Sequence, residues 1–242
     1  MDSHTPQDNL ERFRELGLQS GIDLVSSARL DDEHLEHLHD SIRELGGSLR
    51  NAVVIGIRLS EPVLKTVKTA PTWTYYHHYR TVNFALDQSA LRLAAECQRM
   101  GYRALPLPAS QILDWDLLAG HLSHRKMGEI SGLGWRGRNN LLVHPEFGSH
   151  VRLATILTDA PLPERGITGD PGGCGPCRRC IEVCPVGAIA EDVADFDLDS
   201  CTAQLRRFSR SEKLNTLICG LCVRACRGFK GAPDKAGKDT GQ

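Results

Sequence analysis

A chain of 242 residues with 40% hydrophobic and 24% charged residues has room for a sizeable core, and a formal net charge of −1 gives no overall basic footprint for nucleic acid. No run of about 18 apolar residues is present, so no membrane span is predicted. The start (Met1, Asp2, Ser3, His4) lacks the charged-then-apolar pattern of an export signal, so the expected location is the cytoplasm. Along the chain, Leu35, Leu38, Ile42, Leu45 and Leu49 step by three and four, which predicts an amphipathic helix over 31–49, started by Asp31 or Asp32 and ended near Gly46-Gly47. Ala52 to Ile57 is a compact, β-branched run and reads as a buried strand. A second helix is expected over 83–100, stopped by Gly101, then a short strand from Tyr102 to Pro108 and a third helix over 111–130 carrying Leu113, Leu117, Leu118 and Leu122. Leu141 to Val143 and Val151 to Thr158 read as two strands joined by a Pro-Glu-Phe-Gly turn. The alternation implies an α/β layered domain over residues 1–165. Pro161 to Gly173, with three prolines and four glycines, reads as a linker into a small module over 166–230, and 231–242 as a disordered tail.

Nine cysteines are the unusual feature, and eight of them lie between Cys174 and Cys226. Cys174-Gly-Pro-Cys177-Arg-Arg-Cys180-Ile-Glu-Val-Cys184-Pro185 follows C-x2-C-x2-C-x3-C-P, the run that holds iron–sulfur clusters in bacterial ferredoxins. Three closely spaced thiolates reach one cube, and the fourth leads away to the other. Cys201, Cys219, Cys222 and Cys226 complete the set with one cysteine displaced upstream. Crossed pairing predicts one [4Fe–4S] cluster on Cys174, Cys177, Cys180 and Cys226, and a second on Cys184, Cys201, Cys219 and Cys222. Two zinc sites would also use eight thiolates, but zinc favours CxxC pairs separated by a longer arm. Disulfides belong to short exported scaffolds, and this chain is neither short nor marked for export. Cys97, among Leu93, Ala94 and Ala95, reads as a small buried residue.

Gly132-Leu-Gly134-Trp-Arg-Gly137 matches G-x-G-x-x-G, but a helix is predicted before it and a strand after it, the reverse of a dinucleotide fingerprint. Two readings remain: a tight helix-to-strand turn, or a loop whose bare backbone comes close to a large flat cofactor. Trp73-Thr-Tyr75-Tyr76-His77-His78-Tyr79 concentrates aromatics in a chain with only 5% of them. It reads first as packing, with a pocket-lining loop as the alternative; adjacent His77 and His78 are poorly placed to chelate. His121 and His124, three apart on a predicted helix, can share a face but have no third ligand.

The segment Gly132-Leu-Gly-Trp-Arg-Gly-Arg-Asn139, then Leu141-Leu142, Phe147-Gly148-Ser149, and Thr158-Asp159 followed by Leu162, with the double-cluster cysteines behind it, resembles epoxyqueuosine reductase in the same order over roughly residues 75–227. Corrinoid reductive dehalogenases share the module. The resemblance implies a nitroreductase-like α/β (α+β) domain that binds cobalamin beside a ferredoxin-like domain with two [4Fe–4S] clusters, the nearer of which reduces the cobalt. It also makes Gly132, Gly134, Gly137, Arg138, Asn139 and Ser149 the expected cofactor contacts. The family carries a proton-donating Asp in a pattern like D-x-x-P-x-x-E-R. Arg125 fits its Arg, while His124 takes the place of the Glu and Leu118 that of the Asp; Asp114 and Asp116 fit only in a shifted register.

The expected function is an iron–sulfur oxidoreductase, cobalamin-dependent, fed by a low-potential donor such as a ferredoxin or flavodoxin and passing single electrons to a small molecule or a protein acceptor. The rivals are a non-catalytic electron carrier or reductive activator of a partner protein, and a flavin site on the nitroreductase-like half. The net charge, the counted leucine and the missing C-terminal helical repeats of the tRNA enzyme argue, at this level, against tRNA as a partner.

Overall fold

The computed structural model describes residues 5–115, 118–164 and 173–231. In chain order its elements are helix α1 (Pro6–Gln19), strand β1 (Leu24–Arg29), helices α2 (Asp32–Glu36) and α3 (Asp40–Gly46), β2 (Asn51–Arg58), α4 (Glu61–Thr66), α5 (Trp73–Arg99), β3 (Ala104–Leu107), α6 (His124–Ile130), β4 (Trp135–Arg136), β5 (Leu142–Val143) and β6 (Val151–Thr158), followed by α7 (Arg179–Glu182), α8 (Leu198–Ser211) and α9 (Leu221–Ala225). Four strands form one sheet in the order β1-β2-β6-β3, and each neighbouring pair is antiparallel. The layered α/β expectation therefore holds as a mixed fold with an antiparallel sheet, without parallel crossover units.

Period-two burial lets the central strands face two cores. Val53 and Ile55 of β2 and Ala154 and Ile156 of β6 join a core with α1 and α5. Ala52, Val54, Leu153 and Leu157 point the other way, toward Ile42 of α3 and Met127 of α6. The first core does not stop at the predicted boundary near residue 165. Phe208, Leu214, Ile218 and Leu221 are buried in it together with Tyr75 and Tyr76, so the cysteine-rich part is packed onto the first turns of α5.

Several elements differ from the sequence reading. The helix over 31–49 is split into α2 and α3, because His39 leaves helical geometry and its Nδ1 accepts from the Ser41 amide at 3.2 Å as a new cap. Helix α5 begins ten residues earlier than expected: the Thr72 hydroxyl accepts from the Tyr75 amide at 3.1 Å, so the aromatic stretch is helix and not loop. The helix over 111–130 shrinks to α6. Gly120 lies so close to Gln111 that an added Cβ would sit 2.6 Å from its carbonyl oxygen, and Asp114 bridges to Ala119 across that loop. Strands β5 and β6 are in different sheets, β5 pairing with β4. The central part of the predicted linker, 165–172, Asp116, and the predicted tail from 232 lie outside the described residues. No helix among the described residues is long and apolar enough to cross a membrane.

Candidate functional site

Of the eight clustered cysteines, Cys184, Cys201, Cys219 and Cys222 lie at the seam with α5, in one cavity with Tyr75 and Tyr79. The Cys180 thiol is pushed up to about 12 by burial, then by Cys226, Cys174 and Cys177. Burial raises Cys219 to about 11, with Cys201 and Cys184 adding to it, and the Cys222 thiol is raised by burial and then by Cys219, Cys201, Cys180 and Cys184. Cys180 thus lies near Cys174, Cys177 and Cys226, and Cys222 near Cys184, Cys201 and Cys219 as well as Cys180. Among the described residues no group of three or more His, Cys, Asp or Glu side chains is arranged as one metal ion would hold them. Cys97 stands apart: burial in the core raises its thiol to about 11, and it touches Thr158.

Cys184, Cys201, Cys219 and Cys222 line a cavity of about 280 Å³ whose other walls include Tyr75, Tyr79, Asn139 and Arg152. Leu118, the residue at the counted place of the family's acid, also lines it, with a left-handed φ of 50°. A second space of about 190 Å³ shares Tyr75 and Arg152 with the first and reaches Ser149 and His124. A third, open groove of about 570 Å³ lies on the outer side of Tyr79, lined by Tyr76, Arg80, Phe84 and Asn215. Tyr79 lines the first and third of these spaces, and Arg152 the first and second.

That pair is built by register. Arg152 is on the α5 face of β6, and Tyr79 is one turn along α5 from Tyr75. The Arg152 guanidinium sits 4.6 Å above the Tyr79 ring and donates to its hydroxyl at 3.3 Å, to Asn83 Oδ1 at 3.0 Å and to the Ala109 carbonyl at 3.2 Å. The Tyr79 hydroxyl also bonds Ser110 Oγ at 2.6 Å. Burial raises the phenol, but the Arg152 charge and the hydrogen bonds to Ser110 and Asn83 outweigh it and leave Tyr79 below the ordinary phenol value. His124 is different. Its Nε2 is 2.8 Å from the Pro108 carbonyl, which can only accept, so Nε2 carries the proton and Nδ1 accepts from the Thr155 hydroxyl at 2.9 Å. Burial holds its pKa down to about 4, so it stays a neutral, fixed ring. His121 is not on a shared face with it and packs edge-on against His39 with the ring centroids 6.2 Å apart.

The expected cofactor contacts divide. Asn139 and Ser149 face cavities and hold each other, Asn139 Nδ2 donating to Ser149 Oγ at 3.0 Å. Gly134 and Gly137 press against Val143 of β5, so their bare backbone closes their own hairpin, and Gly132 takes a φ of 75° just past the end of α6. Arg138 points into the cysteine-rich part: Nε donates to the Glu191 carbonyl at 2.7 Å, and the two Nη groups donate to Cys177 at 2.9 Å and Gly175 at 3.0 Å. Its guanidinium is a clamp on the first cysteine loop, and the turn reading of the glycines accounts for their contacts. Arg152 escaped the sequence reading, while Tyr79 entered it within an aromatic stretch read as packing or as a pocket-lining loop; the spacing of Tyr75, Tyr79, Val82 and Leu86 is the signal that places that stretch on the helix that follows.

No family model matches the chain. It is 36% identical over 120 residues to epoxyqueuosine reductase of Bacillus anthracis, covering 46% of this chain and 31% of that protein. With the enzyme of the same name from Burkholderia pseudomallei it is 30% identical over 199 residues, 79% of this chain and 44% of the relative. The chain thus spans less than half the length of these curated relatives. In fold it is similar to a catabolic reductive dehalogenase solved with 3-bromo-4-hydroxybenzoic acid, with a TM-score of 0.74 at 21% identity over 95% of this chain and 34% of that one. It is also similar to an epoxyqueuosine reductase solved with an epoxyqueuosine-modified tRNA stem loop, with a TM-score of 0.59 at 20% identity over 91% of this chain and 65% of that one. The expectation against tRNA is overturned by these findings, since sequence relatives are named for that nucleoside and one structural neighbour holds the RNA. Its physical weakness was the use of net charge, which averages away local features such as the exposed Arg206, Arg207 and Arg210 on α8. The resemblance read from the glycine segment and the cysteine run holds, and the chain is a relative of the epoxyqueuosine reductases that shares its fold with them and with a reductive dehalogenase.

Proposed function

We propose that this protein is an iron–sulfur oxidoreductase that works with a corrinoid and moves electrons one at a time toward a substrate lying in the groove beyond Tyr79. The observation that carries the reading is that four of the eight clustered thiols line the same cavity as Tyr75, Asn139 and Arg152, while the other four group behind them. Cys174, Cys177, Cys180 and Cys226 would hold one [4Fe–4S] cluster, and Cys184, Cys201, Cys219 and Cys222 the other. The corrinoid would be held by residues of the two inner cavities, Tyr75, Asn139, Ser149 and Arg152. When bound, these groups supply low-potential single electrons.

The chain's own residues supply the rest. Arg152 orients Tyr79 and lowers its phenol, so Tyr79 Oη is the group positioned to give a proton to the reacting atom, and Ser110 Oγ is placed to return one. Leu118 in the cavity wall supplies no proton, which is why the role falls to α5. His124, whose single proton is held by a carbonyl, keeps β6 and the Pro108 loop in register. The substrate class follows the relatives, a modified nucleoside of tRNA or an organohalide.

Anaerobic reconstitution is expected to load about eight irons and eight sulfides per chain, the content of two cubes. Cys201→Ala should lose one cluster and keep the other. The loaded protein should shift the visible and EPR spectra of cob(II)alamin. Stoichiometric zinc would overturn the cluster assignment. An unchanged cobalamin spectrum beside tight flavin binding would replace the corrinoid by a flavin. Queuosine content in tRNA from cells that lack their own reductase and express this protein tests the nucleoside substrate. The apolar Leu118 at the acid's counted place favours the second reading, a non-catalytic electron carrier; it gains if the loaded protein turns over none of these substrates while still passing electrons.

A further inference from the structure

The two phenols of the inner cavity are partnered very differently. Cys184, Cys201, Cys219 and Cys222 line this cavity and form the inner group; Cys174, Cys177, Cys180 and Cys226, outside its wall, form the outer one. The Tyr79 hydroxyl bonds Ser110 Oγ at 2.6 Å and accepts from Arg152 at 3.3 Å. Tyr75, one turn earlier on α5, donates its amide to the Thr72 hydroxyl at 3.1 Å, but no hydrogen bond among the described residues reaches its own hydroxyl. The residue is only 4% exposed, yet its oxygen is not sealed in. The surface that it keeps opens on the two inner cavities, both of which it lines. A donor without an acceptor is costly in so buried a place, so the hydroxyl points to a bound group that accepts from it.

The acceptor is set by what the ring lies on. Cys219-Gly220-Leu221-Cys222 is the turn that carries two of the inner thiols, and Gly220 has a φ of 85° there. A Cβ on Gly220 would lie 2.6 Å from Tyr75 Cε1 and 3.0 Å from Cζ, the carbon that bears the hydroxyl. The missing side chain thus lets the hydroxyl end of the ring lie on the turn. Both thiols of the turn act on the phenol. Burial raises it first, the Arg152 charge opposes the rise, and Tyr79, Cys222 and Cys219 add to it. Tyr75 therefore keeps its proton and is a donor. Sulfur is already an acceptor in this turn, since Cys219 takes a hydrogen bond from the Leu221 amide. Other polar groups of the two cavities are engaged elsewhere: Asn139 with Ser149, and Arg152 with Asn83, Tyr79 and the Ala109 carbonyl.

We propose that Tyr75 Oη donates a hydrogen bond to sulfur at the inner group and holds the reduction potential there above what the four thiolates alone would give. Hydrogen bonds to the sulfurs are among the protein's means of setting the potential of an iron–sulfur centre. One-electron reduction adds negative charge to the sulfurs and strengthens an O–H···S bond, so the bond favours the reduced state. The proton stays on oxygen, and no covalent bond forms or breaks. This rests on the two-cluster reading above, and the experiment separates the two. Tyr75→Phe keeps the ring on Gly220 and removes the donor alone.

The test is an EPR-monitored redox titration of the reconstituted protein, with iron and sulfide counted first. Tyr75→Phe should load about eight irons, as the unmodified protein does. Its inner potential should fall by about 59 mV, the one-electron equivalent of tenfold in the reduction equilibrium. The outer potential should stay in place. Cys201→Ala, which keeps only the outer cluster, identifies that signal, and adding Tyr75→Phe to it should change nothing. Tyr79→Phe removes the other phenol of the same cavity and should leave both potentials where they are. If Tyr75→Phe fails to load, replacing all tyrosines by 3-fluorotyrosine carries the test, because the more acidic phenol is a stronger donor and should raise the inner potential. An unmoved inner potential, or an equal fall in Tyr79→Phe, would overturn the proposal. So would a Tyr75→Phe effect confined to the spectrum of added cob(II)alamin, which would give the hydroxyl to that group instead. Failure of the unmodified protein to load about eight irons would sink the two-cluster reading and not the role of Tyr75 alone.

Discussion

Replacing Arg138 by Ala is the perturbation most directly worked from the structure. Its guanidinium makes three charge-assisted hydrogen bonds to carbonyls, at 2.7, 2.9 and 3.0 Å, from a side chain only 17% exposed. Hydrogen bonds to a charged group are worth about 1.5–3 kcal/mol each when neither partner can turn to water. Glu191 and Gly175 are exposed, so water replaces the guanidinium there; the half-buried Cys177 carbonyl is the one left poorly served. The half-exposed Glu191 carboxylate, 3.3 Å away, adds no more than about 1 kcal/mol. A loss of about 2–4 kcal/mol follows, felt locally as opening of the 173–177 turn, and that corresponds to roughly 30- to 700-fold in the opening equilibrium. The assay is iron release from the loaded protein to a strong chelator under argon, alongside urea unfolding. Release from the outer cluster should accelerate at least about tenfold, while the inner cluster's spectrum is kept. Arg138→Lys should fall between, because an ammonium cannot reproduce the planar fork. Unchanged release with an unchanged midpoint would show that Arg138 is not a clamp and would return it to the list of cofactor contacts.

Tyr79→Phe should lower turnover by about 10²–10⁴ with both clusters and the cob(II)alamin spectrum intact, since only the proton is removed. In the unmodified protein, turnover should decline on the alkaline side from a pH below the ordinary phenol value of 10, because the Arg152 charge and the hydrogen bonds lower Tyr79 despite its burial. His124, lowered from 6.5 to about 4, contributes stability that is complete above pH 6.5 and is lost as the pH falls toward 4, where the unfolded chain takes up a proton that the native ring cannot. The loss is at most about 3 kcal/mol, and His124→Gln should flatten that limb in urea unfolding at pH 7 and pH 4.5. Gly220→Ala should destabilise by about 2–4 kcal/mol and lower inner-cluster loading, because the position has a φ of 85° and an added Cβ would lie 2.6 Å from the Tyr75 ring; equal loading and equal stability would refute that account.

What was legible from the sequence were features carried by local pattern alone. The β-branched run of β2 and the strand Val151–Thr158 are where the residues put them. Misreadings arose where a tertiary partner decides. The helix over 31–49 has an unbroken apolar stripe, yet His39 supplies a cap and splits it. Leu113 and Leu118 fit a helical period, yet the close approach at Gly120 makes a loop of their segment. The aromatic stretch looked unlike helix because Tyr, Trp and Thr are weak formers; burial of Tyr75 and Tyr76 against Phe208 and Leu214, about 130 residues away in sequence, compensates for their propensity. Helix α1 and strand β1 went unread, although Leu10, Phe13 and Gly17 repeat at helical spacing behind the Thr5 cap. Strand β1 gave no comparable signal, because its buried Ser26 and Ser27 are polar and bond to the distant carbonyls of Ser131 and Pro163.

The glycine segment links these levels, and it explains why a motif can be retained when the acid in front of it is not. Asn139 and Arg138 are adjacent in the chain but face opposite ways, one into the cavity and one onto the first cysteine loop. Farther along the same segment, Gly148 and Gly228 pass so closely that a side chain on either would strike backbone, and the Phe229 amide donates to the Pro145 carbonyl at 2.8 Å. One short hairpin therefore sets the height of the outer cysteine group and the edge of the inner cavity together. Any change that moves it shifts the first cysteine loop and the cavity wall at once. The family's acid, counted onto this chain, falls at Leu118, which faces the same cavity as Asn139 and Leu141. On the function proposed above, Leu118 supplies no proton, so another proton source has to face that space. Tyr79, on the rigid α5 and oriented by Arg152, meets that condition.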